Sequence, residues 1–152
     1  MHEVLLEGGL ELDIVSECPS TIESREGAAD VHRYFLDPVV VAASVEVARG
    51  DATEIAETAA GALLSVYRTL PGYQRRSRPE LPVPGASATA HLEFVWESAG
   101  GDLMHSAAVV AADGYRVAVV HATAPDLHGD AVFDVADGIV RSARLSVESQ
   151  DE

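Results

Sequence analysis

Three histidines in the second half of the chain are the residues best suited to metal or proton chemistry. His91, His105 and His121 fall on three successive predicted strands, and Glu93 and Glu97 follow the first of them. Imidazole and carboxylate groups can bind a metal ion or move a proton when a fold brings them together. Without an HExxH motif or a repeated histidine spacing, separate surface or half-buried histidines are the other interpretation. We predict no metal and no cofactor, and keep His91, Glu93 and His105 as a possible pocket.

The second candidate site is the only dense basic patch of the chain. Arg75, Arg76 and Arg78 lie within four residues, flanked by Tyr73 and Pro79. Arginine side chains at the border of a groove could contact an acidic partner, with Tyr73 beside them. The same arginines could instead solvate an edge strand and deter it from pairing with another chain. The sequence leaves both interpretations open.

Motifs for covalent or nucleotide chemistry are absent from the sequence. Cys18 is the only cysteine, and no neighbouring residue in the sequence would act as a base to activate its thiol. The chain has no G-x-S-x-G elbow, no phosphate-binding P-loop and no dinucleotide-binding fingerprint. We therefore predict no catalytic residues and no enzymatic activity, with an enzyme of scattered catalytic residues as the alternative.

The charge of the chain argues against nucleic acid as a partner. The 152 residues include 25 aspartates and glutamates against ten basic residues, all of them arginine, which gives a net charge of −15. Binding to a phosphate backbone depends on neutralising it with positive side chains. Arginine without lysine, in a chain rich in alanine and valine, is typical of a GC-rich genome such as that of actinobacteria.

The N-terminal sequence predicts a cytoplasmic location. A signal peptide begins with positive charges, whereas this chain begins with Glu3, Glu7 and Glu11, and no long apolar run follows them. The apolar stretch at residues 38–48 is shorter than the roughly 18 residues of a membrane span and contains Glu46. We predict that the protein does not insert into a membrane.

The remaining elements follow from composition and hydrophobic periodicity. A 47% hydrophobic content with only 5% aromatic residues predicts one domain over residues 1–152, with a core of valine, alanine and leucine. Alternation predicts strands at 10–15 and 31–36, and the nearly continuous apolar run at 39–47 predicts a central strand. Three arginines and three prolines make residues 73–85 an edge strand or a surface loop.

Two helices are predicted. Asp51 or Thr53 caps a long helix from about 52 to 69, and a second helix spans about 129 to 145. The apolar stripe of the long helix consists of Ile55, Ala59, Ala62, Leu63, Val66 and Leu70. The stripe of the C-terminal helix consists of Val132, Val135, Ala136, Ile139, Val140 and Ala143.

A hairpin sets the register of the last strands. The dipeptide Asp113-Gly114 predicts a two-residue turn between strands 103–112 and 115–123, which places Ser106 opposite His121. With the strand around 92–97, this pairing puts His91, Glu93 and His105 on one face and Phe94 and Trp96 on the other. The predicted fold class is α+β, with a central antiparallel sheet flanked by helices.

Most of the chain after the first 50 residues carries a resemblance to a known family. From about residue 51 to 145 the order is helix, Pro/Gly/Arg-rich segment, three-strand meander and helix. The closest likeness runs from Gly114 to Pro125, with the sequence GYRVAVVHATAP, and continues into Phe133, Ala136, Ile139, Val140, Ser142 and Ala143. This pattern resembles the PsbP-like superfamily, which includes LpqN/LpqT-like and DcrB-like proteins. The first 50 residues match it only loosely.

The resemblance implies a function in binding. Members of this superfamily usually act as binding or adaptor proteins without enzymatic activity, and some assist secretion. We therefore expect a protein-binding, adaptor or chaperone-like domain with a protein partner of unknown identity. The alternative is a small-molecule-binding protein or enzyme, with a pocket between the sheet and the long helix. We also expect a homodimer, because small sheet domains with an exposed edge or apolar face often cover it with a copy of themselves.

Overall fold

The computed structural model describes residues 3–6, 8–14, 20–24, 30–36, 38–126 and 130–146. The elements in chain order are β1 (Glu3–Leu6), β2 (Leu10–Asp13), β3 (Ser20–Glu23), β4 (Val31–Phe35), β5 (Val40–Val47), α1 (Ala52–Tyr67), β6 (Gln74–Arg75), β7 (Ala88–Glu97), β8 (Leu103–Ala112), β9 (Arg116–Pro125), α2 (Asp130–Arg141) and β10 (Arg144–Leu145). Cys18 lies outside the described residues.

The strands form two antiparallel sheets. Seven strands pair in the order β3-β4-β5-β9-β8-β7-β6, and three pair in the order β1-β2-β10. The apolar strand β5 lies inside the larger sheet, between β4 and β9, as the sequence predicts. The fold class is α+β, and the prediction of a central antiparallel sheet flanked by helices is confirmed. No helix in the described part of the chain is long and apolar enough to cross a membrane.

The two helices cover opposite faces of the larger sheet. Helix α1 packs on β7, β8 and β9 over a core that includes Phe94 and Val110. Helix α2 packs on β8 and β9 over the other face, where the side chains of β2 complete the core around Val109 and Val120. The alternation of side chains along each strand therefore decides which helix a residue meets.

The hairpin register differs from the predicted one by two residues. Ser106 pairs with Thr123, not with His121. The main-chain N–H of Asp113 donates to the carbonyl of Arg116 at 3.3 Å, so these two residues flank the loop. Because side chains alternate with a period of two, this shift leaves the predicted assignment of residues to each face intact.

The side chain of Asp113 explains the shift. Its Oδ1 accepts from the main-chain N–H groups of Tyr115 and Arg116 at 2.9 and 3.0 Å, which moves the loop to Gly114 and Tyr115. Gly114 has a φ of 95°, which glycine adopts without strain. Burial alone would raise the pKa of Asp113, but the hydrogen bonds from Tyr115 and Arg116 outweigh it and hold that pKa below its ordinary value.

Helix α1 begins where the sequence predicts, and its predicted stripe is confirmed in part, because Ile55, Ala59 and Leu63 are half-buried and pack against the core. Asp51 caps it by accepting from the N–H groups of Thr53 and Glu54 at 2.9 and 3.2 Å. Its buried residues are Ala56, Ala60 and Tyr67, while Ala62 is exposed and Val66 is 63% exposed. The helix is alanine-rich and apolar around much of its circumference, so periodicity alone did not identify the centre of the buried face.

Helix α2 ends at Arg141, four residues before the predicted end. Arg144 and Leu145 leave the helical path and pair with Glu11 and Leu10 of β2 as the short strand β10. Pairing with β2 satisfies main-chain groups that a longer helix would have bonded internally. Ala143 is buried, as predicted, but lies outside the helix, and Val135 is 51% exposed, contrary to its place on the predicted stripe.

Arg116 connects the two sheets. Its guanidinium donates to Asp113 Oδ2 at 2.8 Å and to the carbonyl of Gly8 at 2.8 Å, and it also donates to the carbonyl of Ser146. Gly8 lies in the turn before β2 and Ser146 follows β10, so one buried side chain on β9 bonds to the end of the smaller sheet where this turn meets β10. A buried guanidinium with several acceptors is satisfied and therefore tolerated.

Candidate functional site

The segment 76–83 lies along the open edge of β7. The N–H of Arg76 donates to the carbonyl of Glu93 at 2.8 Å, directly after β6 pairs with β7. Further along, the carboxylate of Glu80 accepts from the main-chain N–H of His91 at 3.2 Å. For residues 73–85 the sequence predicts an edge strand or a surface loop, and the segment contains both. Strand β6 is the terminal strand of the larger sheet, and a loop follows it.

This segment forms one side of a depression at the sheet edge. The depression has a volume of about 460 Å³ and is open to solvent on one side. We call it the arginine depression, and its lining residues are Arg75, Arg76, Ser77, Arg78, Glu80 and His91. It unites the two predicted groups of site residues, because the basic patch and the first histidine of the predicted pocket border the same space.

His91 has a fixed tautomer. Its Nε2 lies 2.8 Å from the carbonyl of Leu81, and a carbonyl only accepts, so Nε2 carries the proton. The side chain is buried, and burial lowers the pKa of His91 below its ordinary value, with the positive charge of Arg78 acting in the same direction. The neutral ring therefore presents a bare Nδ1, which has no hydrogen-bond partner among the described residues.

Glu93 and His105 continue the site on the sheet face beneath α2. His105 Nε2 lies 2.7 Å from Glu93 Oε2, and the ring of His105 stacks on Phe133 of α2 with centroids 3.4 Å apart. The sequence places His91, Glu93 and His105 on one face, and the structure does the same. The helix over that face is the C-terminal helix α2, however, not the long helix of the predicted pocket.

Arg78 connects this face to helix α2. Its guanidinium contacts Glu93 Oε1 at 3.3 Å and also bonds to Asp137, and only 3% of its side chain is exposed. Asp137 accepts in addition from Arg141 Nε at 2.8 Å. Burial would raise the pKa of Asp137, but the bonds from Arg141 and Arg78 outweigh it and lower that pKa. Four charged side chains thus hold the segment 76–83 against the sheet and the helix.

Arg75 and Arg76 differ from Arg78 in being exposed. Neither guanidinium lies within ion-pairing distance of a carboxylate in the described part of the chain. Tyr73 lies elsewhere, because its ring packs against Phe94 at 5.9 Å on the face covered by α1. Of the four residues predicted to contact a partner, the three arginines line the depression and Tyr73 does not.

A polar cluster that the sequence did not predict lies under the end of α1. Tyr67 Oη lies 3.2 Å from His121 Nδ1. Nearby, the indole N–H of Trp96 donates to Ser106 Oγ at 3.0 Å, and that hydroxyl lies 2.7 Å from Thr123 Oγ1. Burial lowers the pKa of His121 to about 4 and raises the pKa of Tyr67. The predicted register already placed Ser106 opposite His121, but the predicted stripe of the long helix did not include Tyr67, so its contact with His121 was missed.

A groove between α1 and the sheet is another concave feature. It has a volume of about 440 Å³ and lies where the sequence predicts a pocket under the long helix. Its lining residues are Glu46, Ala48, Glu54, Ile55, Thr58, Ala59, Ala62 and Val117, none of which is a histidine. Within the described ranges, no three His, Cys, Asp or Glu residues are grouped so as to hold a metal ion.

Comparison with solved structures finds the same fold in other proteins. The chain is similar to the crystal structure of LpqN, which is involved in cell envelope biogenesis of Mycobacterium tuberculosis, with a TM-score of 0.58 and 18% identity over 95% of this chain and 90% of LpqN. A structure from Bacteroides thetaiotaomicron VPI-5482 matches with a TM-score of 0.57 and 10% identity over 97% of this chain and 49% of that protein, so the chain spans about half of it.

These likenesses show an LpqN-like fold and nothing finer. A protein of unknown function from Pseudomonas aeruginosa has a TM-score of only 0.48, which is too low to support an inference. It is 18% identical over 86% of this chain and 95% of that one. No family model and no curated protein sequence matches the chain. The geometry of the site is therefore the basis for any statement about function.

Proposed function

We propose that this chain is a non-enzymatic, adaptor-type domain that binds a partner protein at the arginine depression. The observation that carries this proposal is the exposure of Arg75 and Arg76 at the border of a depression, without a carboxylate partner in the described part of a chain that has a net charge of −15. Arg49 and Arg68 are also exposed and unpaired, but Arg75 and Arg76 are adjacent and border a depression, and this concentration of positive charge favours an external acidic partner.

The state of the other ionisable groups supports binding rather than catalysis. Glu93 is bonded to both His105 and Arg78, and Asp137 is bonded to Arg78 and Arg141. An arginine does not give up its proton at ordinary pH, so the pairs that arginines make with Glu93 and Asp137 are fixed structural contacts. Paired carboxylates and arginines instead make a rigid surface, which lowers the entropic cost of binding a partner.

The biological setting is part of the proposal. An LpqN-like fold supports membership of the PsbP-like superfamily, whose adaptor members we take as the model for this chain. LpqN is involved in cell envelope biogenesis, so proteins of envelope assembly or secretion are the first partners to seek. We propose a cytoplasmic location for this chain, and fractionation of the native host with an antibody against the chain tests it.

Partner capture with matched arginine variants tests the proposed function. The tagged chain, Arg75→Gln/Arg76→Gln and Arg49→Gln/Arg68→Gln serve as baits in a lysate of the native host. All four arginines are exposed and have no carboxylate partner in the described ranges, so both variants remove two equivalent positive charges. We expect the first variant to recover at least about tenfold less of a stoichiometric partner, and the second to recover as much as the unmodified chain.

Two results contradict the proposal. Equal recovery by both variants would place the partner away from the arginine depression. A chain that captures no stoichiometric partner but converts a small molecule in an unbiased activity screen would be an enzyme.

The second candidate function is binding of a small molecule in the same depression. Its volume of about 460 Å³ falls within the range of small-molecule sites, roughly 300 to 1,000 Å³. Native mass spectrometry of the chain purified from its host distinguishes the two functions. A bound compound that is lost in Arg75→Gln/Arg76→Gln would favour the second candidate.

A further inference from the structure

Helix α1 carries a second apolar stripe beside the one that it buries. The buried stripe consists of Ala56, Ala60 and Tyr67. The second stripe, about 100° around the helix from the first, consists of Ile55, Ala59, Ala62 and Val66. Ala62 and Val66 are exposed, so this stripe faces away from the centre of the core. Within the described residues no second helix covers it, because α2 packs on the opposite face of the larger sheet.

The groove between α1 and the sheet runs along this second stripe, and we call it the α1 groove. Ile55, Ala59 and Ala62 line it from the helix, and Ala48 and Val117 line it from the sheet. All five side chains are apolar and three of them are alanines. The groove therefore offers an apolar surface that another main chain can approach closely.

The sheet beyond the groove is also uncovered on this face. A helix with its side chains is about 10 Å wide and neighbouring strands lie about 4.8 Å apart, so α1 spans only two or three of the seven strands. Val40 of β5 pairs with Phe35 of β4 and with Thr123 of the polar cluster under α1, which places all three on the α1 side. Val40 is 37% exposed and Phe35 is 38% exposed. A second helix would fit beside α1, over β5 and β4.

The main chain around the groove favours a helix over an extended segment. Strand β5 is hydrogen-bonded to β4 on one side and to β9 on the other, so it has no free edge for a further strand. An extended segment lying over this face would bury its own N–H and C=O groups without partners. A helix bonds these groups internally, so it can lie on an apolar surface without that cost.

The charged residues that line the groove are both acidic. Glu46 of β5 and Glu54 of α1 border it, and none of the described arginines does. Both carboxylates are exposed, and neither forms an ion pair with an arginine in the described part of the chain. The net charge of −15 adds to their field. Positively charged side chains are therefore the electrostatic complement of this surface.

We propose that the α1 groove docks a basic amphipathic helix of a partner protein. The apolar face of that helix packs against the second stripe of α1 and against Val40 and Phe35. Its lysine or arginine side chains pair with Glu46 and Glu54. The surface is separate from the arginine depression at the β6–β7 edge, which favours an acidic partner. Two surfaces of opposite preference would let one domain connect two different proteins.

A second copy of the chain and an anionic membrane fit the α1 groove less well. Either one would bring further negative charge beside Glu46 and Glu54, and the net charge of the chain would add to the repulsion. A basic helix gains from the same charges. Its binding should weaken as salt concentration rises, because salt screens exposed ion pairs.

Amide NMR titration with designed helical peptides tests the inference. Three peptides of about 18 residues, long enough for an isolated helix, share the same alanine and leucine content. The first has an apolar face and a lysine face, the second has glutamate in place of lysine, and the third reorders the first so that no apolar face forms. In about 0.1 M salt, we expect the first peptide to shift the amide signals of residues 44–48 and 54–66. It should bind at least about tenfold more tightly than the other two.

Matched charge variants test the role of the two glutamates. Glu46→Gln/Glu54→Gln should weaken binding of the lysine peptide at least about threefold, because two exposed ion pairs are lost. Glu57→Gln/Asp134→Asn also removes two exposed carboxylates, on the far flank of α1 and on α2, and should leave binding unchanged. Amide spectra of both variants verify that they are folded. Equal affinities of the two variants would overturn the pairing with Glu46 and Glu54.

Matched valine variants test the apolar stripe. Val66→Gln places a polar side chain on the second stripe and should weaken binding of the lysine peptide at least about threefold. Val135→Gln makes the same change at a position 51% exposed on α2 and should have no effect. Equal affinities of these variants would show that the peptide does not lie along the stripe.

The inference and the proposed function fail in different ways. The inference is wrong if the glutamate peptide, the reordered peptide or vesicles of anionic phospholipid bind as tightly as the lysine peptide. It is also wrong if about 1 mM lysine peptide leaves the signals of residues 44–66 unshifted. Arg75→Gln/Arg76→Gln should bind the lysine peptide as the unmodified chain does. Partner capture by that variant tests the arginine depression alone, so either surface can be refuted while the other stands.

Discussion

At the scale of single residues, burial lowers the pKa of two histidines in different surroundings. His91 donates from Nε2 to a carbonyl and remains neutral because burial lowers its pKa. His121 lies against Tyr67 at the end of α1, where burial lowers its pKa to about 4, and the positive charge of Arg33 acts in the same direction. These shifts follow from side-chain surroundings that the spacing of histidines in the sequence does not define.

Protonation of His121 should destabilise the fold in mild acid. The pKa of His121 is about 4 in the folded chain, below the roughly 6.5 of an unfolded chain, so the unfolded state binds more protons between these values. Stability should therefore be lost as pH falls from about 6.5 towards 4, with a slope of up to about 1.4 kcal/mol per pH unit from this residue. Urea unfolding at several pH values measures the slope, and His121→Asn should reduce it.

An NMR titration of the histidine rings provides the direct measurement. The ring signals of His121 should move with a midpoint far below those of an unfolded control. A midpoint near 6.5, or an unchanged pH slope in His121→Asn, would contradict the assignment of this acid sensitivity to His121.

At the scale of elements, two turns require glycine, one for its backbone angle alone and one also for a close main-chain contact. Gly85 precedes β7 with a φ of 87°, and a Cβ at this position would lie 2.2 Å from the carbonyl oxygen of Leu145 in β10. The N–H of Leu145 donates to the carbonyl of Pro84 at 2.8 Å, so the turn touches β10 directly. Gly101, in the turn between β7 and β8, has a similar φ of 88° but no atom within 4 Å of such a Cβ.

Alanine substitutions at these two glycines should distinguish the free-energy cost of backbone strain from the cost of a steric clash. Gly101→Ala should cost about 1 to 2 kcal/mol of unfolding free energy, because an L-residue is strained at positive φ. Gly85→Ala should cost at least about 2 kcal/mol more, because the methyl group also clashes with main-chain atoms of β10. Urea unfolding of both variants measures the difference. Equal losses would mean that β10 moves away from the turn without cost.

At the scale of the whole molecule, charge and exposed sheet edges act against each other. The net charge of −15 repels a second copy of the chain, whereas β3 is a terminal strand of the larger sheet whose four residues are all exposed. Ile22 in this strand is 60% exposed. Exposed terminal strands pair readily with other chains, so β3 is the surface at which we expect the homodimer to form.

The homodimer should be favoured by salt. Screening weakens the repulsion between two acidic copies, with a Debye length of about 10 Å at 0.1 M and 3 Å at 1 M, while apolar contacts persist. Light scattering across this range should show the mass rising towards that of a dimer. Ile22→Glu should abolish the increase, and Val135→Glu, at a position 51% exposed on α2, should not. A monomer mass at every salt concentration and at high protein concentration would refute the homodimer.

The sequence by itself determined the elements that depend on local patterns. Alternating apolar residues and the β-branched run at 40–47 defined four of the larger strands, and Asp51 defined the start of α1 through its cap. The same alternation placed His91, Glu93 and His105 on one face. The prolines and arginines of residues 73–85 identified an edge segment, because a proline has no N–H to donate within a central strand. The strands β1, β3 and β10 were not predicted, since segments of two to four residues carry little periodic signal.

Only the tertiary structure decided how these elements meet. The side chain of Asp113 shifted the hairpin register by two residues, and the pairing of Leu145 with β2 ended α2 early. Packing against the sheet selected one of several apolar faces of α1. The arginine depression exists because the segment 76–83 folds back on His91 and Arg78 reaches Asp137 on α2, 59 positions further along the chain. The Asp113 contacts are local, but they depend on the conformation of the turn; the other outcomes depend on contacts between distant residues, which local propensity and periodicity do not encode.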